Sequence, residues 1–437
     1  MGGGGPVTPR VAFHTLGCKV NQYDTQAMAG LFRQAGYRVV PFGTPAEVAV
    51  INSCTVTGRA AGKSRQAVQR ARRALPEAVV ALVGCLPQAG GTAAVPEGVS
   101  VVVGTGSRGR IVELVEQARQ RGGGPLVCLA PGEDFEELPL EEFAGRTRAF
   151  LKVQEGCAEG CTYCLVMAAR GRPRSRRPEQ AVEEARRLAA AGCREVVLTG
   201  THLGSYGRDL GGSLAQLLRQ VHGVDGLWRL RLSSLEPGEV TPELLAVTGE
   251  LPKVCPHLHV PLQSGSARVL AAMGRRYTPA EYLAVLERVR GLKGAAWTTD
   301  CIVGFPGETE EDFRATCRLV EEAGFARLHV FPFSPRPGTL AAQLPGQVHP
   351  AVIRERAARL SEVGRGLVQR FAVAHRGLEA EVLVEEEREG GLLAGFTPGY
   401  LRVRFPGPDE LKRRLVRVRI TGGAAGAARG EIQVDGM

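Results

Sequence analysis

Three cysteines lie close together in the sequence, at Cys157, Cys161 and Cys164. This C-x3-C-x2-C spacing can hold three of the four irons of a cubane iron–sulfur cluster and leave the fourth iron open to a ligand. An open iron indicates chemistry, because clusters that only carry electrons usually have four protein ligands. A structural zinc site is the alternative, but it expects paired C-x2-C elements and closed four-coordination.

A second set of cysteines is dispersed, at Cys18, Cys54 and Cys85. Each follows the carboxyl end of a predicted strand, and in an open α/β sheet the loops at those ends converge on ligands. Three dispersed thiols could therefore meet at one point, although small cysteines near strand ends are often only buried packing residues. The other five cysteines are interpreted as packing residues or spare thiols, namely Cys128, Cys193, Cys255, Cys301 and Cys317.

The dispersed cysteines Cys18, Cys54 and Cys85 lie in a predicted α/β domain over residues 9–121. Helix-like stretches near 21–34, 58–74 and 107–119 alternate with short apolar runs. The predicted strands are Val11–Leu16, Val48–Ile51, Val79–Val83 and Val99–Val103. Residues 122–142 are rich in glycine, proline and acidic side chains, which predicts a linker.

Residues 143–374 contain six strand-like segments, each followed by helix-forming sequence. These segments are Phe150–Val153, Glu195–Leu198, Trp228–Leu232, His257–Val260, Thr298–Val303 and Leu328–Phe333. Six β/α units predict a partial (β/α)6 barrel with its functional groups at the carboxyl ends of the strands. A helical segment near 350–374 precedes a β-rich region, 376–437, which predicts a small β-barrel of nucleic-acid-binding type from Glu379–Val384, Leu401–Phe405 and Leu415–Ile420.

Charge, apolar runs and cysteine content exclude some classes of protein and favour others. The 437 residues include 55 Lys and Arg against 45 Asp and Glu, a net charge of +10 that favours a polyanionic partner. No apolar run approaches the roughly 18 residues of a membrane helix, and the glycine-rich start does not resemble a secretory signal. Eleven cysteines in such a chain favour metal or catalytic thiols over disulfides. We therefore expect a cytoplasmic protein of several domains, with no membrane partner.

Longer motifs surround the cysteines. The first domain carries His14-Thr-Leu-Gly-Cys-Lys-Val-Asn-Gln22, Ile51-Asn-Ser-Cys-Thr-Val-Thr57 and Val83-Gly-Cys-Leu-Pro-Gln88. The second carries Leu198 to Gly207, Arg231 to Pro237, His259 to Ser266 and Asp300 to Glu308, and the last carries Gly395-Phe-Thr-Pro-Gly-Tyr400. Together they resemble the methylthiotransferase branch of the radical S-adenosylmethionine (SAM) enzymes, with a terminal TRAM-like RNA-binding domain. Within that family, the residues around Cys18 and Cys54 are most similar to enzymes acting on N6-threonylcarbamoyladenosine at tRNA position 37.

The resemblance implies two [4Fe-4S] clusters and SAM. Cys157, Cys161 and Cys164 would hold the cluster whose open iron chelates SAM, and its one-electron reduction would yield a 5′-deoxyadenosyl radical. Cys18, Cys54 and Cys85 would hold an auxiliary cluster that carries the sulfur, and a second SAM would methylate it. The radical would remove hydrogen from carbon 2 of the adenine, where methylthio is delivered. Such chemistry belongs to cofactors, and the protein positions them.

The implied partners are the tRNA anticodon stem-loop and a one-electron donor such as flavodoxin or ferredoxin. Two alternatives remain: the same chemistry on N6-isopentenyladenosine, and a non-catalytic RNA-binding iron–sulfur protein. Beyond the cluster ligands, no catalytic side chain is predicted. The family usually has a proline and an aromatic residue before Ala-Arg-Gly, whereas this chain has Met167 and Ala168.

The same resemblance also predicts which residues contact SAM. Gly200 and Thr201, after the second barrel strand, would meet its methionine amino group. Ser234 and Glu236, after the third, would reach its polar atoms. The residues expected to border its adenine are Val303 and Gly304.

Arginines dominate the predicted RNA contacts. Five lie between Arg170 and Arg177, which suits phosphate binding, and the candidates among them are Arg170, Arg172 and Arg174. In the last domain Arg417 and Arg419 alternate with apolar residues, so one face of the strand can pack while the other meets phosphate. Tyr400 or Phe396 could stack on unpaired bases.

Gly104-Thr-Gly-Ser-Arg-Gly109 matches a dinucleotide-binding fingerprint. It lies in the last unit of its domain, and the helix that follows runs into the predicted linker. No strand is then left to complete a β–α–β unit, so we interpret the motif as a turn that opens a helix. A NAD-dependent enzyme built on this motif is a distant alternative.

Overall fold

The computed structural model describes residues 8–121, 123–130, 132–138, 140, 147–424 and 426–433. The first domain is a parallel sheet flanked by helices. Its strands are β1 (Arg10–Thr15), β2 (Arg38–Val40), β3 (Val48–Ser53), β4 (Val79–Gly84), β5 (Val101–Val103) and β6 (Leu126–Cys128). Its helices are α1 (Lys19–Gln34), α2 (Gly58–Ala74), α3 (Cys85–Gly90) and α4 (Ile111–Gln120).

The strand order is β2-β1-β3-β4-β5-β6, and all neighbouring strands are parallel. Every residue of β3 and β4 is buried, as expected for a parallel sheet covered on both faces. Because β1, β3 and β4 are adjacent, the loops after them leave the same edge of the sheet. That edge is where the three dispersed cysteines lie.

Strand β6 falls inside the stretch predicted to be a linker. It pairs in parallel with β5, so the linker prediction is wrong for these three residues. Its short Leu-Val-Cys run is hidden among glycines and prolines, and only pairing with β5 makes it a strand. Residues 122, 131, 139, 141 and 142 of that stretch lie outside the described residues.

The described part of the second domain contains seven strands and eight α-helices. The strands are β7 (Arg148–Glu155), β8 (Arg174–Ser175), β9 (Glu195–Gly200), β10 (Arg229–Leu232), β11 (His257–His259), β12 (Ala296–Val303) and β13 (Arg327–Pro332). The helices are α5 (Val166–Arg170), α6 (Pro178–Ala190), α7 (Leu214–His222), α8 (Pro242–Glu250), α9 (Ala267–Ala272), α10 (Pro279–Arg290), α11 (Glu310–Ala323) and α12 (Pro350–Ala374).

Six of these strands form the predicted partial barrel. β7, β9 and β10 pair in parallel, and so do β11, β12 and β13. A parallel bridge between Ser234 and His259 joins the two groups, and β8 adds an antiparallel edge beside β7. Leu230 and Leu232 pack in the core under the helices. Because side chains alternate along a strand, Arg229 and Arg231 point into the lumen.

The last domain is a closed five-stranded barrel in the order β14-β15-β16-β18-β17. Its strands are β14 (Glu379–Val384), β15 (Leu393–Phe396), β16 (Arg402–Phe405), β17 (Leu415–Ala424) and β18 (Ala427–Ile432). The predicted small β-barrel is therefore present. The sequence did not predict β15 and β18, whose alanines and glycines carry little strand preference.

The terminal barrel packs against the barrel of the second domain through arginines. Arg229 Nη1 donates to the Phe396 carbonyl at 2.8 Å, and Arg231 Nη1 donates to the Pro398 carbonyl at 2.9 Å. Phe396 and Tyr400, predicted to stack on bases, instead stack on each other with ring centroids 4.7 Å apart. Tyr400 also stacks on His257 at 4.6 Å, so this aromatic pair belongs to the domain interface.

Candidate functional site

The three cysteines of the first domain meet at one edge of its sheet. Burial and the neighbouring thiols Cys85 and Cys18 raise the pKa of Cys54 to about 12, so all three lie within electrostatic reach of one another. Gly17 has a φ of +104°, and a Cβ there would lie 2.9 Å from Cys54 Sγ. A glycine is required at this position because the loop before Cys18 passes so close to Cys54.

Asn21 forms hydrogen bonds to the loops that contain Cys18 and Cys54. Its amide nitrogen donates to the Leu16 carbonyl at 2.6 Å and to the Ser53 carbonyl at 2.9 Å. Since Leu16 and Ser53 precede Cys18 and Cys54, one buried side chain fixes the spacing of two of the three thiols. This buried amide, on the first helix, is the asparagine of the Gly-Cys-Lys-Val-Asn motif.

The other three cysteines occupy the loop after β7. The Glu159 amide approaches Cys157 Sγ at 3.5 Å, and the Val166 amide approaches Cys164 Sγ at 3.4 Å. N–H groups aimed at sulfur are typical of iron–sulfur sites, whose potentials they tune. Gly156, at φ +86°, leads into this loop, where a Cβ would lie 1.9 Å from the Arg172 carbonyl oxygen.

Arg275 is a site residue that the sequence analysis did not identify. Its Nη1 donates to Cys161 Sγ at 3.3 Å, and its guanidinium pairs with Glu236. Glu236, predicted to reach SAM, is thus held beside the cysteine loop by a cation from the segment after α9. No local pattern marks Arg275, because the contact joins two segments more than a hundred residues apart.

Both cysteine sets fit the clusters that the sequence implies. All eleven cysteines are free, and burial raises the pKa of Cys164 to about 12. Such thiols bind a metal as thiolates, so metal binding must displace their protons. The loop after β7 offers three sulfurs, and the Arg275 guanidinium donates to one of them, Cys161 Sγ.

The remaining predicted SAM contacts lie at the carboxyl ends of the barrel strands. Gly200 packs against Gln154, and the Thr201 hydroxyl is buried without a hydrogen-bond partner among the described residues. An orphaned buried hydroxyl fits a ligand position. Ser234 is exposed, beside the bridge to β11.

Val303 and Gly304 are less open to a ligand. The Val303 side chain is fully buried in the core that lies between strands and helices, which leaves only its main chain for the ligand. The Gly304 amide donates to Glu308 at 2.7 Å, and a Cβ on Gly304 would lie 2.4 Å from Ile353. Their contact with the adenine of SAM stays a prediction.

Two of the predicted RNA-binding arginines are buried, which corrects that assignment. Arg170 is 3% exposed, and its Nε donates to Cys85 Sγ at 3.4 Å. Arg174 is 9% exposed and donates to the carbonyls of Gly132 and Arg170. Neither guanidinium can reach a phosphate, because tertiary packing has covered them. Arg172 alone of the three is exposed.

Arg170 belongs to a buried charge network between the first two domains. The network consists of Asp24 and Arg108 from the first domain and of Lys152, Glu155 and Arg170 from the second. Lys152 Nζ lies 2.8 Å from Asp24 Oδ1, and Arg108 Nη2 lies 2.8 Å from Glu155 Oε2. Such pairs hold the domains in one relative position, since each charge would be costly if left unpaired.

We expect Asp24→Asn to destabilise the protein by about 3–5 kcal/mol, because three buried cations would lose a shared carboxylate. Burial alone would raise the pKa of Asp24, but Arg108, Lys152 and Arg170 outweigh it and lower the pKa. The contribution is therefore present at neutral pH and is lost as the pH falls through the folded-state pKa.

The measurement is urea unfolding of the cluster-free protein, followed by fluorescence of its two tryptophans, Trp228 and Trp297, which both lie in the second domain. Asp225→Asn, at an exposed acid, is the matched control. Equal midpoints for the two variants would contradict the prediction.

The dinucleotide-like motif opens a helix, as interpreted, but the reason given for that interpretation was wrong. Strand β6 completes a parallel β–α–β unit after α4. Instead, other segments of the chain pack against this turn. A Cβ on Gly106 would lie 2.2 Å from the Gly132 amide nitrogen. Thr105 Oγ1 donates to the Ala169 carbonyl at 2.6 Å. No room for a pyrophosphate remains between these atoms.

The comparisons with known proteins cover the whole site. Residues 151–320 match the radical SAM superfamily, and residues 10–104 match the uncharacterized protein family UPF0004. The threonylcarbamoyladenosine tRNA methylthiotransferase MtaB of Bacillus subtilis is 41% identical over 421 residues, covering 94% of this chain and 93% of the relative. The tRNA-2-methylthio-N(6)-dimethylallyladenosine synthase of Moorella thermoacetica is 39% identical, covering 97% and 98%.

A solved structure with the same fold is the radical S-adenosylmethionine methyltransferase TsrM from Kitasatospora setae. It has a TM-score of 0.57 at 15% identity, covering 76% of this chain and 75% of that chain. At this identity the likeness concerns the fold alone. Taken with the curated relatives, the comparisons give one identification. The chain belongs to the radical SAM methylthiotransferase family.

Proposed function

We propose that this chain transfers a methylthio group to carbon 2 of N6-threonylcarbamoyladenosine at position 37 of tRNA. The observation that carries the proposal is a contact between the two domains that contain the cysteine sets. Arg170 follows the loop of Cys164 by only six residues, yet it donates to Cys85 of the other domain. This contact supports a shared site, in which both sets would face one substrate atom that is activated from one side and receives sulfur from the other.

Cys157, Cys161 and Cys164 would hold the SAM-binding [4Fe-4S] cluster, and Cys18, Cys54 and Cys85 would hold the auxiliary one. When bound, the clusters and SAM supply the radical that removes hydrogen from carbon 2 and the methylthio group that replaces it. The side chains position these groups. Arg275 and Arg170 each place a guanidinium against one sulfur, and the buried network fixes the distance between the domains.

The tRNA is expected to contact basic surfaces around this site. Exposed candidates are Arg172, Arg417 and Arg419. Val416, Val418 and Ile420 fill the core of the terminal barrel, so the arginines that alternate with them point outward. A one-electron donor such as flavodoxin or ferredoxin would reduce the enzyme, and the reaction would take place in the cytoplasm. No helix among the described residues is long and apolar enough to cross a membrane.

Replacing Arg417 and Arg419 together by glutamine should weaken tRNA binding and reduce its dependence on salt. Removing one cation–phosphate pair lowers the slope of log K against log salt concentration by about 1. The measurement is tRNA binding by fluorescence anisotropy at several salt concentrations. Arg314→Gln with Arg318→Gln, on the exposed side of α11, removes the same charge as a control. An unchanged slope would place the RNA-binding surface elsewhere.

The test of the function is anaerobic incubation of reconstituted protein with SAM, a reductant and threonylcarbamoylated tRNA, followed by mass spectrometry of the nucleosides. A methylthio adduct on threonylcarbamoyladenosine is the expected result. A parallel incubation with isopentenyladenosine-containing tRNA tests the alternative substrate. Formation of 5′-deoxyadenosine without either adduct would contradict the assigned substrate, and its absence from cluster-loaded protein would favour a non-catalytic RNA-binding role.

A further inference from the structure

Three neighbouring strands of the partial barrel each contribute one side chain that can bind a metal. His259 ends β11, Asp300 lies in β12, and His329 lies in β13. Asp300 is the register partner of His329 in the parallel ladder between β12 and β13. The residues next to all three pack in the core under the helices, and because side chains alternate along a strand, these three point into the lumen. We call His259, Asp300 and His329 the lumen triad.

The side chains of the lumen triad face one another. The Asp300 carboxylate places Oδ2 3.2 Å from His259 Nε2 and Oδ1 3.0 Å from His329 Nδ1. One ligand atom from each residue lies within 4.8 Å of those from the other two. Two nitrogen or oxygen ligands bound to one ion at about 2.0–2.2 Å are at most about 4.4 Å apart. Small side-chain rotations would therefore bring all three residues onto a single cation.

The other ring nitrogen of His259 is held by a hydrogen bond. His259 Nδ1 lies 2.8 Å from the Thr298 hydroxyl, which also lies 3.1 Å from His257 Nε2. This hydroxyl can accept the Nδ1 proton while donating its own proton to His257. In that arrangement His259 Nε2 carries a lone pair directed at the centre of the triad. Histidines that bind metals usually have their second nitrogen hydrogen-bonded in this way, which fixes the ring and its tautomer.

The charges around the lumen triad leave its carboxylate to a bound cation. Within the described residues, Asp300 forms ion pairs with the two imidazoles and with no lysine or arginine. The lumen arginines Arg229 and Arg231 pair with Glu381 and Glu195 instead. An imidazole neutralises a carboxylate only when it is protonated. A divalent cation would instead satisfy the carboxylate and two neutral imidazoles together.

The lumen triad is open on one side. The side chain of His259 is 15% exposed, that of Asp300 is 24% exposed and that of His329 is 44% exposed. A hydrated ion can therefore reach the ligand atoms. Three protein ligands also leave further coordination positions free, as in metal sites that bind water or a substrate rather than in closed structural sites.

The ligand types indicate the class of cation. Two imidazoles and one carboxylate with open positions are typical of first-row transition metals such as Fe²⁺ and Zn²⁺. Mg²⁺ and Ca²⁺ prefer sites built from oxygen alone. The lumen triad contains no sulfur, so its chemistry also differs from that of the two cysteine sets.

We propose that the lumen triad binds one divalent first-row transition-metal cation through His259, Asp300 and His329. The proposal goes beyond the proposed function, which uses only the two clusters and SAM. None of the three residues adjoins a cysteine of either set in the sequence.

The test is titration with Mn²⁺, which binds such ligand sets more weakly than the later metals but is directly visible by EPR. Protein with both clusters in their oxidised, diamagnetic state is first passed over a chelating resin to remove loosely bound metal. The signal of free aqueous Mn²⁺ then reports the bound fraction. Wild type should bind one Mn²⁺ per chain, and Zn²⁺ should displace it. Pulsed EPR should show coupling of the bound Mn²⁺ to imidazole nitrogen, which a surface carboxylate site would not give.

Variants separate the ligands from their support. Asp300→Asn keeps the size of the side chain but removes its charge. It should weaken Mn²⁺ binding by more than the roughly 10- to 100-fold expected for Thr298→Val, which removes only the hydrogen bond to a ligand. His329→Gln should also weaken binding. Asp225→Asn and His349→Gln make the same changes at exposed positions and should bind Mn²⁺ as wild type does.

Absence of saturable Mn²⁺ binding by wild type would overturn the site, and so would wild-type binding by both Asp300→Asn and His329→Gln. If Asp300→Asn does not fold, His329→Gln decides, because the His329 side chain is largely outside the core. The titration uses neither SAM nor tRNA. Its result is therefore independent of whether the chain methylthiolates threonylcarbamoyladenosine.

Discussion

Replacing Cys157 by alanine is expected to reduce the cleavage of SAM to the uncatalysed level. The cysteine loop after β7 offers only three sulfurs, so the loss of one leaves too few ligands to hold a cluster that also binds SAM. The loss should exceed the roughly 10- to 100-fold effects typical of outer-shell partners of a metal site. The measurement is 5′-deoxyadenosine by chromatography after anaerobic incubation with SAM and dithionite.

The matched control for this variant is Cys317→Ala, a half-buried cysteine on α11 outside both cysteine sets. It should retain both clusters and full SAM cleavage. Undiminished 5′-deoxyadenosine formation by Cys157→Ala would contradict the assignment of this loop as the SAM-binding cluster site. Iron content separates loss of the cluster from loss of the fold, because the second cysteine set should stay loaded.

Replacing Cys54 by alanine should have the complementary result. Cys54 is 3% exposed and lies near Cys85 in the first domain. Arg170 of the second domain donates to Cys85. Its loss would remove a ligand from the auxiliary cluster and leave the loop after β7 unchanged. SAM cleavage to 5′-deoxyadenosine should therefore persist, whereas the methylthio nucleoside should fall below detection. Both products can be quantified from one incubation by mass spectrometry.

Cys128→Ala provides the comparison within the first domain, since Cys128 ends β6 away from the three clustered thiols. It should form both products. Normal amounts of methylthio nucleoside from Cys54→Ala would remove the dispersed cysteines from the mechanism. Loss of both products would instead indicate that the two sites depend on each other, as the Arg170 contact with Cys85 permits.

The arginines after the cysteine loop illustrate the limits of reading sequence alone. Five arginines in eight residues are typical of a surface that binds phosphate, and for Arg172, which is exposed, phosphate binding stays a prediction. Arg170 and Arg174 have the same local composition but are buried. They are buried because they pair with Asp24, Glu155 and the Gly132 carbonyl, which come from other parts of the chain. Charge density along a sequence carries no information on such partners.

The stretch predicted as a linker shows the same limitation in the backbone. Glycines, prolines and acids normally interrupt secondary structure, yet Leu126–Cys128 adds a sixth strand to the first sheet. In the same stretch, Glu136 pairs with Arg108 and Leu138 is buried beside Tyr23. A strand of three residues has almost no signature of its own, because its stability comes from the neighbour with which it pairs.

What the sequence by itself determined is whatever depends on short spacing and periodicity. The C-x3-C-x2-C loop, the positions of three cysteines after predicted strands, and the order of an α/β domain, a partial barrel and a small β-barrel all follow from local patterns. Only the tertiary structure decided which side chains share the site. Arg275 beside Cys161 and Arg170 beside Cys85 are joined by contacts between remote segments. Burial and pairing are properties of the folded chain, so no single segment could have revealed them.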